Sequence, residues 1–456
     1  MSPLRVVSLL SAGLLGACMT VADRPDPPAF AETAGFSAPP PSADPEAVSD
    51  GLWWRNAVAT DLSTPLERAL RRNTALREAQ GTVQAAQARL AQATADRGPT
   101  LSVSADVRGQ KVSDGDRTDS RSLGVDGDLP LDVSGALADR EDAAAQALLA
   151  DTADAQQLRS DLARDFLIAV IEAAEASQRA ALLDEQIDVS QTLLRLIELR
   201  FTQGLSSSVD VLQQRDELAG LRQQIPIARL DRSLAANRLR LIASRTPDEP
   251  ALPLLDRLPT VQASFPTLRP VDLLDRRAAL RADRARLAAA DARFAAALAD
   301  RLPTLGLSGG FVWRAFSGDV SSLVSAALDA AFTLFDSGNL EAIAEERRAR
   351  LYAAGQAYLG GWIARVIEVD DLITEEASLR ERIELSRLRL DTAEALLDAA
   401  KRRYERGVSD YLPVLAALRG LQQQQRDHLA LRAALGRTRI RLHHALGNPS
   451  AAEVKA

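Results

Sequence analysis

Four short segments of the chain alternate strictly between apolar and polar residues: 101–110, 123–133, 305–313 and 324–334. Alternation with a period of two predicts strands that have one apolar and one polar face. About ten residues is the length of a tilted strand that crosses a bilayer. The segments pair into two predicted hairpins, 99–133 and 303–335, with polar connections at 111–122 and 316–322. The alternative is a soluble hairpin packed on helices.

Two much longer stretches have helical periodicity and contain no proline, at 135–203 and 338–406. At about 1.5 Å per residue each would reach on the order of 100 Å. Toward their ends the pattern has a mean period of 3.5 residues, which predicts left-handed coiled-coil packing. The positions concerned are Leu183, Ile187, Ser190, Leu194, Ile197 and Phe201, and then Ser386, Leu390, Ala393, Leu397, Ala400 and Tyr404.

Glycines end both long helices, and a return helix follows each of them. Gly204 and Gly407 suit the left-handed conformation that closes a helix. The return helices are predicted over 208–244 and 411–446. Each half of the chain also opens with a shorter helix, at about 63–97 and 270–300.

The chain is an internal repeat of two similar halves. Phe201 to Gly204 matches Tyr404 to Gly407 at an offset of 203, and Pro99-Thr-Leu matches Pro303-Thr-Leu at an offset of 204. One residue of slippage over such a length indicates duplication. The predicted division is a first repeat at 63–246, a proline-rich equatorial linker at 247–269, a second repeat at 270–447 and a tail at 448–456.

The first residues resemble an export signal. Arg5 precedes a short apolar run, and residues 1–17 are predicted to be removed. Leu15-Gly-Ala-Cys18 resembles the lipobox of bacterial lipoproteins, in which the cysteine carries the covalent lipid. Met19 follows, where an Asp would imply retention in the inner membrane, so the outer membrane is implied. The alternative is an ordinary signal peptide with a chance cysteine. Prolines make 18–62 an extended arm.

Composition excludes several classes of function. The formal net charge is −7 and aromatic residues make up 4% of the chain, so no basic surface for nucleic acid is expected. The histidines, His428, His443 and His444, do not have the spacing of a metal site. Acidic pairs lie among arginines on long helices, as solvated faces do. The sequence therefore predicts no enzyme, no metal and no cofactor besides the lipid at Cys18.

The strand count points to an oligomer. Four strands do not close a barrel, and open sheet edges are not tolerated in lipid. Three copies would give twelve strands with room for a lumen, whereas two would give eight, filled by side chains. The trimer is favoured on this ground.

Two stretches carry a resemblance to a known family. Tyr404 to Leu415 is similar to the motif Y-x-x-G-x-x-x-Y-L-x-V-L, and Pro270 to Arg277 is similar to P-S-D-L-L-x-R-R. With the repeat and the lipobox, the chain resembles the TolC family of outer-membrane efflux proteins, in its lipoprotein (NodT-like) branch. The resemblance implies a mainly helical homotrimer with a 12-stranded β-barrel and a 12-helix α-barrel. It also implies a periplasmic adaptor (membrane fusion) protein and an inner-membrane pump of the resistance-nodulation-division type, for the export of small molecules such as drugs.

The same resemblance implies a gate at the helical tips. In the family, rings of acidic and polar side chains narrow the tunnel there, and a ring of carboxylates favours cations. The alternative for the two aspartates is an ordinary role at a helix start. Ala416 stands where the family often has Asp, which departs from an acidic constriction. The candidate gate residues are Asp210, Arg215, Asp410, Tyr411 and Arg419.

A rival hypothesis makes the chain a periplasmic helical lipoprotein that acts as a scaffold or adaptor. It accounts for the heptads, the glycine turns and the anchor. It leaves unexplained four alternating segments of bilayer length at positions that the repeat relates to one another.

Overall fold

The computed structural model describes residues 24–30, 35–37, 52–55, 57–58, 62–111, 117–249, 252, 254–316 and 319–448. Cys18 and the export signal lie outside these residues. Short 3₁₀ turns occupy Trp53–Arg55 and Pro270–Asp272. The other elements, in order, are α1 (Ser63–Arg72), α2 (Thr74–Ala95), β1 (Thr100–Lys111), β2 (Arg117–Leu131), α3 (Ala136–Thr202), α4 (Ser208–Ile242), α5 (Leu273–Arg276), α6 (Ala278–Ala299), β3 (Thr304–Phe316), β4 (Asp319–Ala331), α7 (Asn339–Glu405) and α8 (Leu412–Leu446).

The four strands form one antiparallel sheet in the order β1-β2-β3-β4. Directly paired residues share a face, so Val103, Val125, Phe311 and Val324 form one apolar row across the sheet. Many side chains on this face are exposed in the single chain, such as Leu101 at 77%. The opposite face is mainly Ser, Gly and Asp. Pairing of β2 with β3 joins the two predicted hairpins into a single sheet.

The predicted connections 111–122 and 316–322 were too long. β2 already begins at Arg117 and β4 at Asp319. The hydrogen-bonded ladder therefore continues through residues that are almost all polar. Apolar alternation is lost there although the backbone pairing is not, so hydrophobicity alone placed the starts of β2 and β4 too late.

The two long helices, α3 and α7, have 67 residues each and span on the order of 100 Å. Both follow a left-handed glycine, Gly135 (φ 81°) and Gly338 (φ 83°). The carboxylate of Asp132 accepts hydrogen bonds from the Leu137 and Ala138 N–H groups, and Asp336 caps α7 in a similar way. These contacts satisfy N–H groups that have no partner inside the helix. In the described part of the chain, no helix joins enough length to enough apolar character to cross a membrane.

The helices predicted over 63–97 and 270–300 are each interrupted, which corrects the expectation of single helices. The breaks fall at Asn73 and Arg277, which correspond at the repeat offset of 204. Asn73 accepts a hydrogen bond from the Leu76 N–H and donates one to the Ile242 carbonyl at 2.7 Å. Both break residues have an extended ψ, which ends one helix and starts the next.

The helices lie side by side along the two long ones. On the strand side the order is α2-α3-α6-α7, and on the turn side it is α4-α3-α8-α7. The buried residues of α4 and of α7 follow one stripe with a period near 3.5, as expected for coiled-coil packing. One layer of four side-by-side helices, in which neighbours run in opposite directions, thus continues the four strands.

A core at mid-height holds the two repeats together. Trp53, Phe166, Leu239 and Ile440 pack in one buried cluster, which receives side chains from the N-terminal segment and from four different helices. Val58 pairs with Val261 in an isolated antiparallel bridge, which ties the N-terminal segment to the linker. Val261 also belongs to this buried cluster, so the linker lies against the middle of the helices as a belt.

Candidate functional site at the helical tips

Two turns of the same geometry form the tips. Gly204 (φ 75°) and Gly407 (φ 70°) are left-handed, and a Cβ atom on either would have nothing within 4 Å. The Leu205 N–H donates to the Arg200 carbonyl, and the Val408 N–H donates to the Arg403 carbonyl. This pattern is the Schellman closure of a helix, so glycine is required for backbone conformation and not for space.

A small apolar core joins the tips of the two repeats. Ile197 of α3 packs with Leu397 of α7, together with residues of α4 and α8. The Tyr404 and Tyr411 rings meet edge to face, with centroids 5.7 Å apart. The guanidinium of Arg200 lies 4.5 Å from the centroid of the Tyr404 ring, within the range of a cation–π contact.

Tyr411 links three helices. Its side chain is 1% exposed, and its hydroxyl donates a hydrogen bond to Oε1 of Gln214 on α4. Gln214 in turn donates from Nε2 to the Ser190 carbonyl of α3 at 2.9 Å. Burial, with a smaller contribution from Tyr404, raises the pKa of Tyr411 above its ordinary value, so the hydroxyl remains a donor.

The two candidate arginines make different ion pairs. Arg215 pairs with Glu198 at 2.7 Å, a contact between α4 and α3 inside the first repeat. Arg419 of α8 donates from Nε to Glu217 of α4 and lies 3.7 Å from Asp216. Arg419 therefore bridges the two return helices, whereas Arg215 stabilises one repeat.

Asp210 closes a capping box at the start of α4. Its carboxylate accepts from the Ser207 N–H at 2.9 Å and from the Ser206 hydroxyl at 2.8 Å, and its own N–H donates to the Ser207 hydroxyl. Burial raises the pKa of Asp210, but these hydrogen bonds lower it more, and the net pKa lies below the ordinary value. The geometry is that of a helix-start residue. Asp410 is exposed and precedes α8.

The candidate residues thus divide into two groups. Tyr411 and Arg419 connect α8 with α4, while Arg215 and Asp210 act within the first repeat. The partners Gln214 and Glu217 were not identified from the sequence. Gln214 could have been singled out from the sequence, because it occupies a position of the α4 heptad stripe where an apolar residue is usual.

The histidines lie at mid-height and far from the tips. His444 is buried, and its Nε2 lies 2.8 Å from Asp161. The His443 ring packs on Phe265, with centroids 4.5 Å apart, and its Nε2 lies 3.2 Å from the Gln262 carbonyl. Within the described residues, no group of three or more His, Cys, Asp or Glu is arranged to hold a metal ion.

Comparison with known proteins agrees with this architecture. The chain is 27% identical over 465 residues to the pyoverdine export outer membrane protein OpmQ of Pseudomonas putida, covering 96% of each. It is 25% identical over 450 residues to nodulation protein T of Rhizobium leguminosarum bv. viciae, covering 96% of this chain and 91% of that protein.

Solved structures show the same fold. The outer-membrane channel OprN superposes with a TM-score of 0.84 at 24% identity, covering 94% of this chain and 98% of that one. A structure of CusC gives 0.82 at 23% identity, covering 93% and 99%. The expected TolC-like fold is confirmed. The family model described as outer membrane efflux protein matches twice, at residues 66–245 and 270–448. The chain belongs to the outer membrane efflux protein family.

Proposed function

We propose that this chain is the outer-membrane channel subunit of a tripartite efflux system. In this proposal it is a lipid-anchored homotrimer without enzymatic activity, and it conducts small molecules from an inner-membrane pump to the exterior. The single observation that carries the proposal is the four-stranded sheet. It has one apolar face and two open edges, and it continues into four side-by-side helices.

The open edges of the sheet support the trimer. Among the described residues of one chain, β1 and β4 each pair with a single neighbour, so their outer backbone groups face away from the sheet. In lipid each unpaired group costs several kcal/mol, on the order of 2–7. Pairing β4 of one copy with β1 of the next satisfies both edges. Three copies give twelve strands, enough for a barrel with a lumen.

The edge helices support the same ring. Exposed apolar side chains continue along α4 at Ile227, Leu230 and Leu234, and along α7 at Leu385 and Leu388, at a similar distance from the turns. Because α4 and α7 lie at opposite edges of the helical layer, the contact between them is head to tail. A head-to-tail contact closes into a ring when the rotation fits. Sheet and helices would then close around the same axis.

The polar face of the sheet suits a water-filled interior. Asp126, Asp128 and Asp329 lie on this face, with Ser308 donating to Asp329. The apolar face suits lipid. The two faces of the sheet therefore have the polarities that a transmembrane barrel requires.

The N-terminal arm supports a lipid anchor at Cys18. Arg24 pairs with Asp291 of α6 at 2.8 Å, and Phe30 packs on Tyr358 and Trp362 of α7. From Asp291, about 12 Å of helix remains before the short connection to β3. The six residues from Cys18 to Arg24 span up to about 20 Å when extended. An acyl chain at Cys18 would thus reach the membrane at the base of the strands.

The tips suit the periplasmic adaptor and the gate. Leu205 and Val209 at the first turn, and Val408 and Leu412 at the second, are exposed apolar side chains at the end of the molecule. In the proposal these turns meet the adaptor. The contacts of Tyr411 and Arg419 hold α8 against α4 in a closed tunnel. Asp210 and Asp410 would line the constriction in threefold rings.

In this proposal, the partner pump determines which compound the channel exports. Relatives carry names that refer to pyoverdine export, toluene efflux and cation efflux. Such different cargoes suit a wide tunnel that passes what its pump delivers. Small organic molecules are the class we propose for this chain.

A pair of substitutions on β4 tests the sidedness and the channel together. Val324 lies on the apolar face and Ser325 on the polar face of the same strand. Val324→Arg should prevent the trimer from forming in membranes, since arginine facing lipid costs about 2–4 kcal/mol per chain. Ser325→Arg should form the trimer and change its conductance. The readouts are heat-modifiable migration of membrane-extracted protein and planar-bilayer current. A water-soluble monomer that conducts no ions would refute the proposal.

A further inference from the structure

Two buried carboxylates lie at mid-height on the long helices. Glu376 of α7 is 0% exposed, and Glu175 of α3 is 8% exposed. Glu376 accepts from Nη2 of Arg439 at 2.9 Å and pairs with Arg380 at 3.0 Å. Glu175 pairs with Arg437 at 2.6 Å and with Arg179 at 2.8 Å. Each buried acid is thus held by two arginines, one of them from α8.

The two α8 arginines reach in different directions. Arg437 and Arg439 are two residues apart, which places them about 200° apart around a helix. Arg437 consequently meets α3 of the first repeat, and Arg439 meets α7 of the second. At this one level α8 is fixed to both long helices by charge pairs.

The belt reinforces the same level. Nη1 of Arg439 also donates to the Val261 carbonyl at 3.3 Å, and Thr438 donates to Glu375 at 3.1 Å. Removing one partner of a buried ion pair leaves an uncompensated charge, which is strongly destabilising. Sliding of α8 at this height would break both pairs at once. The geometry here resists displacement.

Between Arg419 and Arg437, the described residues of α8 form no ion pair with a neighbouring helix. Arg426 donates from Nη1 to the neutral Oε1 of Gln186 at 2.8 Å, and the other hydrogen bonds to neighbouring helices join uncharged groups. Gln186 donates to the Gln422 carbonyl at 3.2 Å, and the Nδ1 of His428 lies 3.2 Å from the Ser386 hydroxyl. Gln422 also lies 3.5 Å from the Ser190 hydroxyl. Neutral hydrogen bonds exchange with water at a small net cost. This segment accommodates small shifts more readily than the charged level does.

We propose that the pairs Arg437–Glu175 and Arg439–Glu376 form a pivot for opening the tunnel. From these pairs to the end of α8 at Leu446 the helix stays fixed. From these pairs to Leu412 at the tip, α8 swings away from α4 once the contacts of Tyr411 and Arg419 break. About 25 residues separate Arg437 from Leu412, a lever of roughly 37 Å. A rotation of about 10° would move the tip by roughly 6 Å. The inference rests on the proposed trimeric channel.

Distances between copies in the assembled trimer test the pivot. Single cysteines at Ala416, Gln423 and Arg432, all exposed on α8, carry spin labels for electron–electron distance measurement. Opening is induced by Tyr411→Phe with Arg419→Ala. The inter-copy distance should increase most at 416, by about two-thirds as much at 423 and by about a quarter at 432. An equal increase at all three sites would overturn the pivot.

Releasing the pivot provides the second test. Adding Glu376→Gln should extend the increase to position 432, whereas the matched control Glu381→Gln, five residues away on α7 and exposed, should not. Equal effects of the two substitutions would refute the assigned role. If Glu376→Gln fails to assemble, the gradient measured with the native pairs decides alone. Absence of any inter-copy distance would instead refute the proposed trimer, so the two failures are distinguishable. The chain without an added cysteine controls for labelling at Cys18.

Discussion

Removal of one hydroxyl at the tip should open the channel. Tyr411→Phe deletes the donor to Oε1 of Gln214, a side chain that is 0% exposed. In the closed state that oxygen then has no donor from Tyr411, and a buried unsatisfied acceptor costs about 1–3 kcal/mol. In an open state the separated helices admit water to Gln214, so the cost falls on the closed state. Burial raises the pKa of Tyr411 further above neutral pH, so its hydroxyl is a donor throughout the assay.

The expected magnitude follows from threefold assembly. At the lower figure of about 1 kcal/mol per copy, three copies that open together would lose about 3 kcal/mol of preference for the closed state. Since about 1.4 kcal/mol corresponds to a factor of ten, the ratio of open to closed channels should rise roughly a hundredfold.

Single-channel recording in planar bilayers measures this ratio directly. Tyr352→Phe makes the same chemical change at a residue that is 60% exposed on α7, and it should leave the open fraction unchanged. The double variant Tyr411→Phe with Gln214→Leu removes both polar partners and should restore much of the closure. An intact Tyr411→Phe trimer with the parental open fraction would refute the reasoning. An equal effect of Tyr352→Phe would do the same.

Three further outcomes are expected. Arg277→Ala should lower the melting temperature of the purified protein, because Arg277 is buried and donates to the His444 carbonyl at 2.9 Å and to Glu368 at 3.1 Å. We expect the free energy of unfolding to fall by about 2–4 kcal/mol. An unchanged melting temperature would contradict this expectation. Gly407→Ala should destabilise the second turn by roughly 1 kcal/mol, because alanine resists the left-handed φ of this position. The measurement is faster amide hydrogen exchange at that turn. Gly420→Ala, on the open face of α8, is the control and should not speed exchange. The lowered pKa of Asp210 means that its carboxylate stabilises α4 above the ordinary pKa near 3.8 and that this stability is lost as the pH falls through the lower folded-state pKa. Exchange protection of the first α4 turn should therefore decrease below about pH 4, and Asp210→Asn should abolish that dependence.

The sequence determined the elements of this protein because their periods are local properties of the chain. Alternation at 101–110 predicts a strand, and the 3.5-residue stripe from Leu183 predicts a coiled coil, whatever lies beside them. The positions of Gly204 and Gly407 followed from the conformation that a helix end requires. The starts of β2 at Arg117 and of β4 at Asp319 were missed, because the polar residues there continue the backbone ladder without apolar alternation.

Tertiary structure alone decided which residues meet. The sequence singled out Tyr411 and Arg419, but their partners Gln214 and Glu217 lie about 200 residues away, and no local period relates them. The division of the first helix at Asn73 likewise depends on the distant Ile242 carbonyl. Pairing of β2 with β3 places both hairpins in one sheet, which the two separate patterns do not specify. Periodicity fixes the shape of each element, whereas the contacts between elements depend on packing of the whole chain.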